Sequence, residues 1–200
     1  MRKSILLFIL FPLIFSIASC GNKKEDPTDK LVAQLGSQET YPSAVKALRD
    51  MGPDAIPALV KGLKNPDAKI REESARTLAF IGPDAKDAVP ALIETLKDTE
   101  PLVRSDSAWA LGEIGSAAHP AIPALIAAMD DEEDTVRDFA IQAVGAFGPA
   151  AADALPKLRD IAKNDANAFL RDSALEAIDA IEAPPESTGE LKEGNPEPMD

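Results

Sequence analysis

The stretch VRSDSAWALGEIG, residues 103–115, decides the fold because its landmarks recur along the chain at a nearly constant spacing. Its arginine, Arg104, belongs to a series in which consecutive members are 33 or 34 residues apart, with the others at Arg71, Arg137 and Arg171. Its closing glycine, Gly115, has counterparts at Gly52, Gly82 and Gly148. The phrases AIPALV, AVPALI, AIPALI and ALPKLR lie between these landmarks, with prolines 33 residues apart at Pro57, Pro90, Pro123 and Pro156. Self-similarity at this period indicates stacked units that bury their apolar faces against one another, so the pattern predicts a solenoid.

Each unit is predicted to contain two helices. In the first helix Val89, Leu92 and Leu96 follow the i, i+3, i+7 spacing of one helical face. The recurring proline belongs in the first turn, where its missing N–H has no consequence. Aspartates three residues before it are predicted N-caps, namely Asp54, Asp87 and Asp153, while the third unit has Pro120 at that position.

The second helix carries its own start and stop signals. Val103, Leu111 and Ile114 mark its apolar side, and Gly115 is predicted to end it in the left-handed conformation. Capping residue types precede it at Asn65, Asp98, Asp131 and Asn164. Small residues that permit close helix packing fall on the apolar side at Ser74, Ser107, Ala140 and Ala174. The recurring arginines flank this side and are predicted to pair with acidic residues of adjacent units, such as Asp67 or Asp98. No segment alternates with the period of a strand.

These features resemble HEAT repeats, and in particular the short HEAT-like class named after phycobilisome lyases. The resemblance implies an all-α fold, a right-handed α-solenoid of about five two-helix repeats. The predicted repeats span residues 28–51, 52–81, 82–114, 115–147 and 148–181.

The N-terminus resembles a bacterial lipoprotein signal peptide over residues 1–19. Basic Arg2 and Lys3 precede an apolar run that is short for a membrane span, and the run ends in IASC at Cys20. By this resemblance Cys20 becomes the lipid-bearing first residue of the mature chain, and its acyl chains hold a soluble domain at a membrane. The alternative is an ordinary secretory signal followed by a chance cysteine. Gly21, in place of an aspartate, favours the outer over the inner membrane for a source that sorts as enteric bacteria do.

The predicted mature chain is strongly acidic. Loss of Arg2 and Lys3 leaves 19 basic against 34 acidic side chains, a net charge of −15. Such a surface repels phosphate backbones and anionic headgroups, which argues against nucleic-acid binding. Residues 20–27 are predicted to form a polar tether, and the Pro- and Glu-rich residues 182–200 a disordered tail.

No catalytic or metal-binding motif emerges from the sequence. His119 is the one histidine, and its place in an inter-repeat loop favours a surface role. The acidic run at residues 130–134 lacks the alternating ligands and glycine turn of a calcium loop, so we expect a solvated, helix-capping loop. The chain has no His-Glu pair, which excludes an iron site of the deoxyhypusine hydroxylase type. We therefore expect no enzymatic activity, no cofactor and no metal.

A partner-binding surface is predicted on the second helices, which line the concave side of HEAT solenoids. Trp109 is the one tryptophan of the chain, and this residue type is enriched at interface hot spots. With Phe80 it is expected to form an apolar spot in an acidic groove; the alternative is that Trp109 only packs against a neighbouring helix. The other candidate partner-binding residues are Arg76, Glu113, Asp138, Gln142 and Glu176.

The sequence thus predicts a lipid-anchored scaffold that binds a protein or peptide on its concave face at the bacterial cell envelope, outside the cytoplasm. Two alternatives stay open. One is an accessory protein related to the HEAT-like subunits of bilin lyases, for which fold kinship is the sole support. The other is a structural lipoprotein that spaces envelope layers.

Overall fold

The computed structural model describes residues 26–183, and within this range the chain contains helices and no strand. The α-helices are α1 (Pro27–Gln34), α2 (Tyr41–Met51), α3 (Ile56–Gly62), α4 (Ala68–Ile81), α5 (Val89–Thr95), α6 (Pro101–Ile114), α7 (Ile122–Ala128), α8 (Asp134–Ala146), α9 (Leu155–Asn164) and α10 (Ala168–Glu182). Short 3₁₀ segments connect the repeats at Gly52–Ala55, Gly82–Ala88, Gly115–Ala121 and Gly148–Ala154. Cys20, the predicted signal peptide, and all but the ends of the predicted tether and tail lie outside the described residues.

Consecutive helices pair, α1 with α2 through α9 with α10, and the pairs stack in chain order. The second helices α4, α6, α8 and α10 pack directly side by side, whereas the first helices α3, α5, α7 and α9 are spaced apart by the 3₁₀ segments. The second-helix layer is therefore the more closely spaced, inner side of the array. The all-α solenoid predicted from the repeat period is confirmed.

The first helices α3, α5, α7 and α9 each continue from a 3₁₀ segment, which the sequence did not predict. Ala55 precedes α3 with helical backbone angles and makes no side-chain cap. The aspartates Asp54, Asp87 and Asp153 lie inside the 3₁₀ segments, so their prediction as N-caps is wrong. The physical reason is that carbonyl groups of the preceding turn already accept hydrogen bonds at the helix entry. The proline occupies the first turn, as predicted.

The N-caps of the second helices α4, α6 and α8 lie two residues after the predicted capping residues, and that of α10 lies three residues after. The N-caps are Asp67, Glu100, Glu133 and Asn167. The predicted caps instead accept a hydrogen bond from the backbone two residues on, as Asp98 Oδ1 does from Glu100 N at 3.0 Å. The loop of the last unit is one residue longer, so the acceptor there is Asp165, which accepts from Asn167 N. Asn164 instead donates from Nδ2 to Asp160 Oδ1. These side chains stabilise the loop before the helix, a local alternative to capping.

The glycines that follow α2, α4, α6 and α8 have a positive φ, as predicted, but at Gly115 and Gly82 the conformation is not the left-handed helical one. Gly115 has φ 72° and ψ −135°, and Gly82 has φ 69° and ψ −136°. This is the mirror image of extended backbone, which residues with a Cβ atom avoid. It reverses the chain sharply into the 3₁₀ segment of the next unit.

Small residues on the second helices allow the stack to close. Ser74, Ser107, Ala140 and Ala174 are all fully buried, which confirms their predicted place on the apolar side. Glycine is needed as well, because a Cβ atom on Gly112 would lie 3.2 Å from Ala143 Cα, and one on Gly145 would lie 3.1 Å from Ala177 Cβ. Helices α6, α8 and α10 therefore approach almost backbone to backbone.

The recurring arginines join adjacent units. Arg71 donates from Nε and Nη2 to both carboxylate oxygens of Asp98, in the loop of the next unit, at 2.7 and 2.8 Å. Its Nη1 donates to the carbonyl oxygens of Asn65 and Pro66 in the preceding loop. The predicted pairing with Asp98 is confirmed, whereas Asp67 caps α4 instead. A bidentate pair of this kind sets both distance and orientation between repeats.

Within residues 26–183, none of the helices has the length and apolarity needed to span a bilayer.

Candidate partner-binding face

The inner face carries a row of aromatic rings, one from each of three successive second helices. Phe80 of α4 meets Trp109 of α6 edge to face, with ring centroids 5.2 Å apart and planes at 86°. Phe139 of α8 lies on the other side of Trp109 at 6.3 Å, with planes at 34°. Such distances and angles are favourable for aromatic pairs. Phe80 keeps 43% of its surface exposed, so the row is open to solvent at least at this end.

Trp109 packs against the neighbouring helices, one of the two roles predicted for it, and part of its surface stays exposed. It is half-buried, and its ring packs against the core between its aromatic neighbours. Its indole Nε1 donates to Glu113 Oε1 at 2.9 Å, one turn along α6. This bond holds the Glu113 carboxylate at the rim of the ring, on an exposed part of the face.

A shallow depression of about 220 Å³ lies between α6 and α8 beside this ring. Its lining residues are Trp109, Gly112, Glu113, Phe139, Gln142, Ala143 and Ala146. Because Gly112 and the alanines are small, the aromatic rings and the Glu113 carboxylate dominate the lining. The depression offers an apolar wall next to a fixed negative charge.

At the Phe80 end of the row a cation already covers part of the ring. Arg49 of α2 places its guanidinium 4.4 Å from the centroid of Phe80. A cation at this distance is attracted by the ring quadrupole. The aromatic row therefore accepts a guanidinium from the chain itself.

Arg76, a predicted partner-binding residue, is held in a cluster of ion pairs at the inner face. It pairs with Glu72 and Glu73 of its own helix and with Asp106 of α6, at 3.1, 3.1 and 2.9 Å. Lys69 completes the cluster by pairing with both glutamates. The close side-by-side packing of α4 and α6 covers this flank and buries Glu72.

The cluster contains three carboxylates, those of Glu72, Glu73 and Asp106, but only two basic groups, those of Lys69 and Arg76. Glu73 is 1% and Asp106 5% exposed, and Glu73 Oε2 accepts no hydrogen bond within residues 26–183. Burial raises the pKa of Asp106 to about 6, and the nearby Glu72 and Glu73 carboxylates add to this against the attraction of Arg76. Asp106 thus titrates close to neutral pH.

The remaining predicted residues lie on α8 and α10. Gln142 Nε2 donates to Asp138 Oδ2 at 2.7 Å, and Ser173 of α10 donates to Asp138 Oδ1 at 2.8 Å. Glu176 lies exposed on α10, away from the aromatic row. The structure therefore brings Phe80, Trp109 and Glu113 together, with Gln142 across the depression from them.

Phe139 belongs to this face but was not recognised in the sequence. It stands two residues after Arg137, the position that Glu73 and Asp106 occupy in the preceding repeats. An aromatic residue at an otherwise polar repeat position was the available signal. Its contact with Trp109 depends on the packing of α6 against α8, which the periodicity of a single helix does not reveal.

The acidic run of residues 130–134 is exposed at four of its five positions, in agreement with the predicted solvated loop, and its aspartates also form ion pairs. Asp130 pairs with Lys157, Asp131 with Arg104, and Asp134 with Arg137. His119 packs edge to face on Phe147 with centroids 5.3 Å apart. Within the described part of the chain, no group of three or more acidic, histidine or cysteine side chains is arranged to hold a metal ion.

Solved structures of similar shape are helical-repeat proteins. A chain in the complex of CpcE and CpcF of phycocyanin lyase from Nostoc sp. PCC7120 aligns with a TM-score of 0.67 and 25% identity, over 76% of this chain and 97% of that one. A designed armadillo repeat protein in complex with the peptide (KR)4 aligns with a TM-score of 0.61 and 20% identity, over 77% of this chain and 81% of that one. The second likeness concerns the fold alone.

Among curated proteins, no sequence matches this chain. A family model described as HEAT repeats matches residues 28–112 and 89–179, overlapping matches that span the helical array from α1 to α10. The matched units carry the helix pairs, the inter-repeat arginines and the glycine turns described above. This chain therefore belongs to the HEAT-repeat family.

Proposed function

We propose that this protein is a lipid-anchored scaffold that binds a protein or peptide partner on the inner face formed by α4, α6, α8 and α10. The observation that carries the proposal is the aromatic row of Phe80, Trp109 and Phe139, which stays partly exposed although the apolar interior of the array is closed. An exposed aromatic cluster beside polar and charged groups is typical of interface hot spots. The work of the protein is then recognition, with no covalent step.

The anchor part of the proposal rests on the sequence around Cys20. Acyl chains on this residue would hold the solenoid at a membrane surface of the cell envelope, outside the cytoplasm. Labelling of growing cells with a radioactive fatty acid tests it: the wild-type protein should incorporate label and fractionate with membranes, and Cys20→Ala should do neither. Label on Cys20→Ala would contradict the anchor.

The binding part is tested by crosslinking in native membranes followed by purification of the protein. We expect a partner to be captured by the wild type and lost with Trp109→Ala combined with Glu113→Lys. Asp153→Lys is the matched control, because it introduces the same kind of charge reversal at an exposed residue of the 3₁₀ segment that leads into α9. Equal capture by all three proteins, or by none, would contradict inner-face binding and favour a structural role in spacing envelope layers.

The likeness to a chain of the CpcE–CpcF complex supports a second candidate, a subunit of an enzyme assembly that handles a tetrapyrrole. This likeness covers 97% of that chain, so it extends over the whole repeat array of the neighbour. A pigment that copurifies with the protein and absorbs visible light would favour this candidate. A colourless protein that captures its partner through Trp109 would favour the scaffold.

A further inference from the structure

We infer that the depression between α6 and α8 binds an arginine side chain of a basic segment in the partner. This inference rests on the proposed function and assigns the chemistry of the partner. It follows from three features of the inner face: the aromatic wall of Trp109 and Phe139, the carboxylate of Glu113, and the balance of charge on α6, α8 and α10.

The aromatic wall suits a planar cation. Indole is the side chain that attracts cations best through its ring face, and guanidinium can also stack on a ring plane. The row already binds one guanidinium in this manner, since Arg49 covers Phe80 at 4.4 Å. No arginine or lysine of residues 26–183 is in ring contact with Trp109 or Phe139, and the depression beside them, about 220 Å³, has room for a side chain.

The carboxylate of Glu113 is positioned rather than free to rotate. Its Oε1 accepts the indole N–H at 2.9 Å, which keeps the group beside the ring. A guanidinium stacked on the indole can donate to this carboxylate, and Gln142 on the opposite rim offers an amide oxygen. Arginine fits this arrangement better than lysine, because its planar fork stacks and donates hydrogen bonds at the same time.

The surrounding charge favours a basic partner. The inner face from α6 onward carries the exposed acidic side chains Glu113, Asp172 and Glu176 and the half-buried Asp138. Arg76 on α4 is already paired with three carboxylates. The mature chain as a whole is acidic as well, so a basic segment would be attracted over a longer range.

Because Trp109 is the single tryptophan of the chain, tryptophan fluorescence reports on this site alone. We would titrate the full chain in non-ionic detergent with the peptide (Gly-Arg)4 and follow Trp109 fluorescence, and measure labelled-peptide anisotropy where Trp109 is replaced. We expect saturable binding by (Gly-Arg)4, binding at least threefold weaker by (Gly-Lys)4, and none by (Gly-Glu)4. Trp109→Ala should weaken binding by about tenfold, in line with the loss of a cation–π contact.

Two conservative variants keep the test independent of folding. Glu113→Gln retains an oxygen that can accept the indole N–H and removes the charge, so it should weaken (Gly-Arg)4 binding by about fivefold. Asp153→Asn removes an equal charge elsewhere and should leave binding unchanged. Equal effects of the two variants, or equal binding of the arginine and lysine peptides, would overturn the arginine site.

Failure of this inference is distinguishable from failure of the proposed function. A protein that captures its envelope partner through Trp109 but does not bind (Gly-Arg)4 would be a scaffold without an arginine site. A protein that does neither would contradict both proposals.

Discussion

Arg104 of α6 and Asp131 of the following loop form a two-pronged ion pair across a repeat boundary. Arg104 Nε and Nη2 donate to the two carboxylate oxygens, each at 2.7 Å, and the arginine side chain is 9% exposed. Burial tends to raise the pKa of Asp131, but the bonds from Arg104 and from the Glu133 N–H outweigh it and lower the pKa. The pair therefore links α6, the preceding loop and the next repeat into one unit.

We expect Asp131→Ala to lower the free energy of unfolding by about 2–3 kcal/mol, because it leaves the Arg104 guanidinium buried without its charge partner. The variant also removes the acceptor for the Glu133 N–H. Chemical denaturation followed by circular dichroism measures this loss. Arg159→Ala is the control, since Arg159 pairs with Glu182 on the surface and should contribute less than about 0.5 kcal/mol. Equal losses would contradict a special role for the inter-repeat pair.

Gly115→Ala and Gly115→Asn should destabilise the protein by similar amounts, about 1–3 kcal/mol. No atom lies within 4 Å of a Cβ built on Gly115, so the cost arises from the backbone angles alone. Asparagine is tolerated in the left-handed helical region, but at ψ −135° that tolerance does not apply. Thermal unfolding of the two variants compares them directly. A clearly milder effect of asparagine would show a left-handed helical cap in solution.

Gly62→Ala should cost about 2 kcal/mol or more, because the added methyl would overlap Ser74 Oγ and lie 2.9 Å from Val32 Cγ1. Ser74 is fully buried and donates to the Ile70 carbonyl at 2.6 Å, so it has little room to move. The double variant Gly62→Ala with Ser74→Gly should recover part of the loss, which a double-mutant cycle measures. Additive effects of the two substitutions would contradict the direct contact.

Asp106 should make the protein less stable as pH rises from about 4 to 7. Its pKa is about 6 in the folded protein against 3.8 as the ordinary value, so the folded state binds the extra proton within this window. The contribution to stability is thus fully present below pH 3.8 and is lost as pH rises through 6. Relative to Asp106→Asn, the wild type should lose about 1–3 kcal/mol of unfolding free energy between pH 4 and 7.

The comparison with Asp106→Asn isolates this effect. Asp98 and Asp131 have lowered pKa values and act in the opposite sense, but they are present in both proteins and cancel in the difference. The charged neighbours Glu72, Glu73 and Arg76 also remain. Parallel pH–stability curves would show that the Asp106 carboxyl is solvated.

The sequence predicted the helical repeats because their signals are local and recur. The spacing of Arg71, Arg104 and Arg137 gives the period, and glycine is the residue that a sharp positive-φ turn requires. The capping residue types, in contrast, did not predict the helix starts correctly. Asp54 and Asp98 are capping types, but one lies in a 3₁₀ segment and the other in a loop turn. A residue of a capping type reliably indicates that a loop lies nearby. Whether it caps the helix or bonds within the loop depends on local hydrogen bonds, which the residue type alone does not determine.

The candidate site depended more strongly on packing between repeats. The sequence predicted Phe80, Trp109 and Glu113 on the concave side, and the structure places them in contact. Arg76 was predicted on the same side, where it pairs with Asp106 of the next second helix. Phe139 was not predicted for the same reason, because its place in the aromatic row depends on its contact with Trp109 between α8 and α6.

The sequence by itself thus determined the architecture. The repeat period, the apolar helical faces and the turn residues are properties of short segments, and they recur in successive repeats. Only the tertiary structure decided which side chains are available to a partner. Whether Asp106 is buried and paired with Arg76, and whether Trp109 and Phe139 border an open depression, depends on how closely neighbouring second helices approach. That distance is set by residues such as Gly112 against Ala143, which are far apart in the chain.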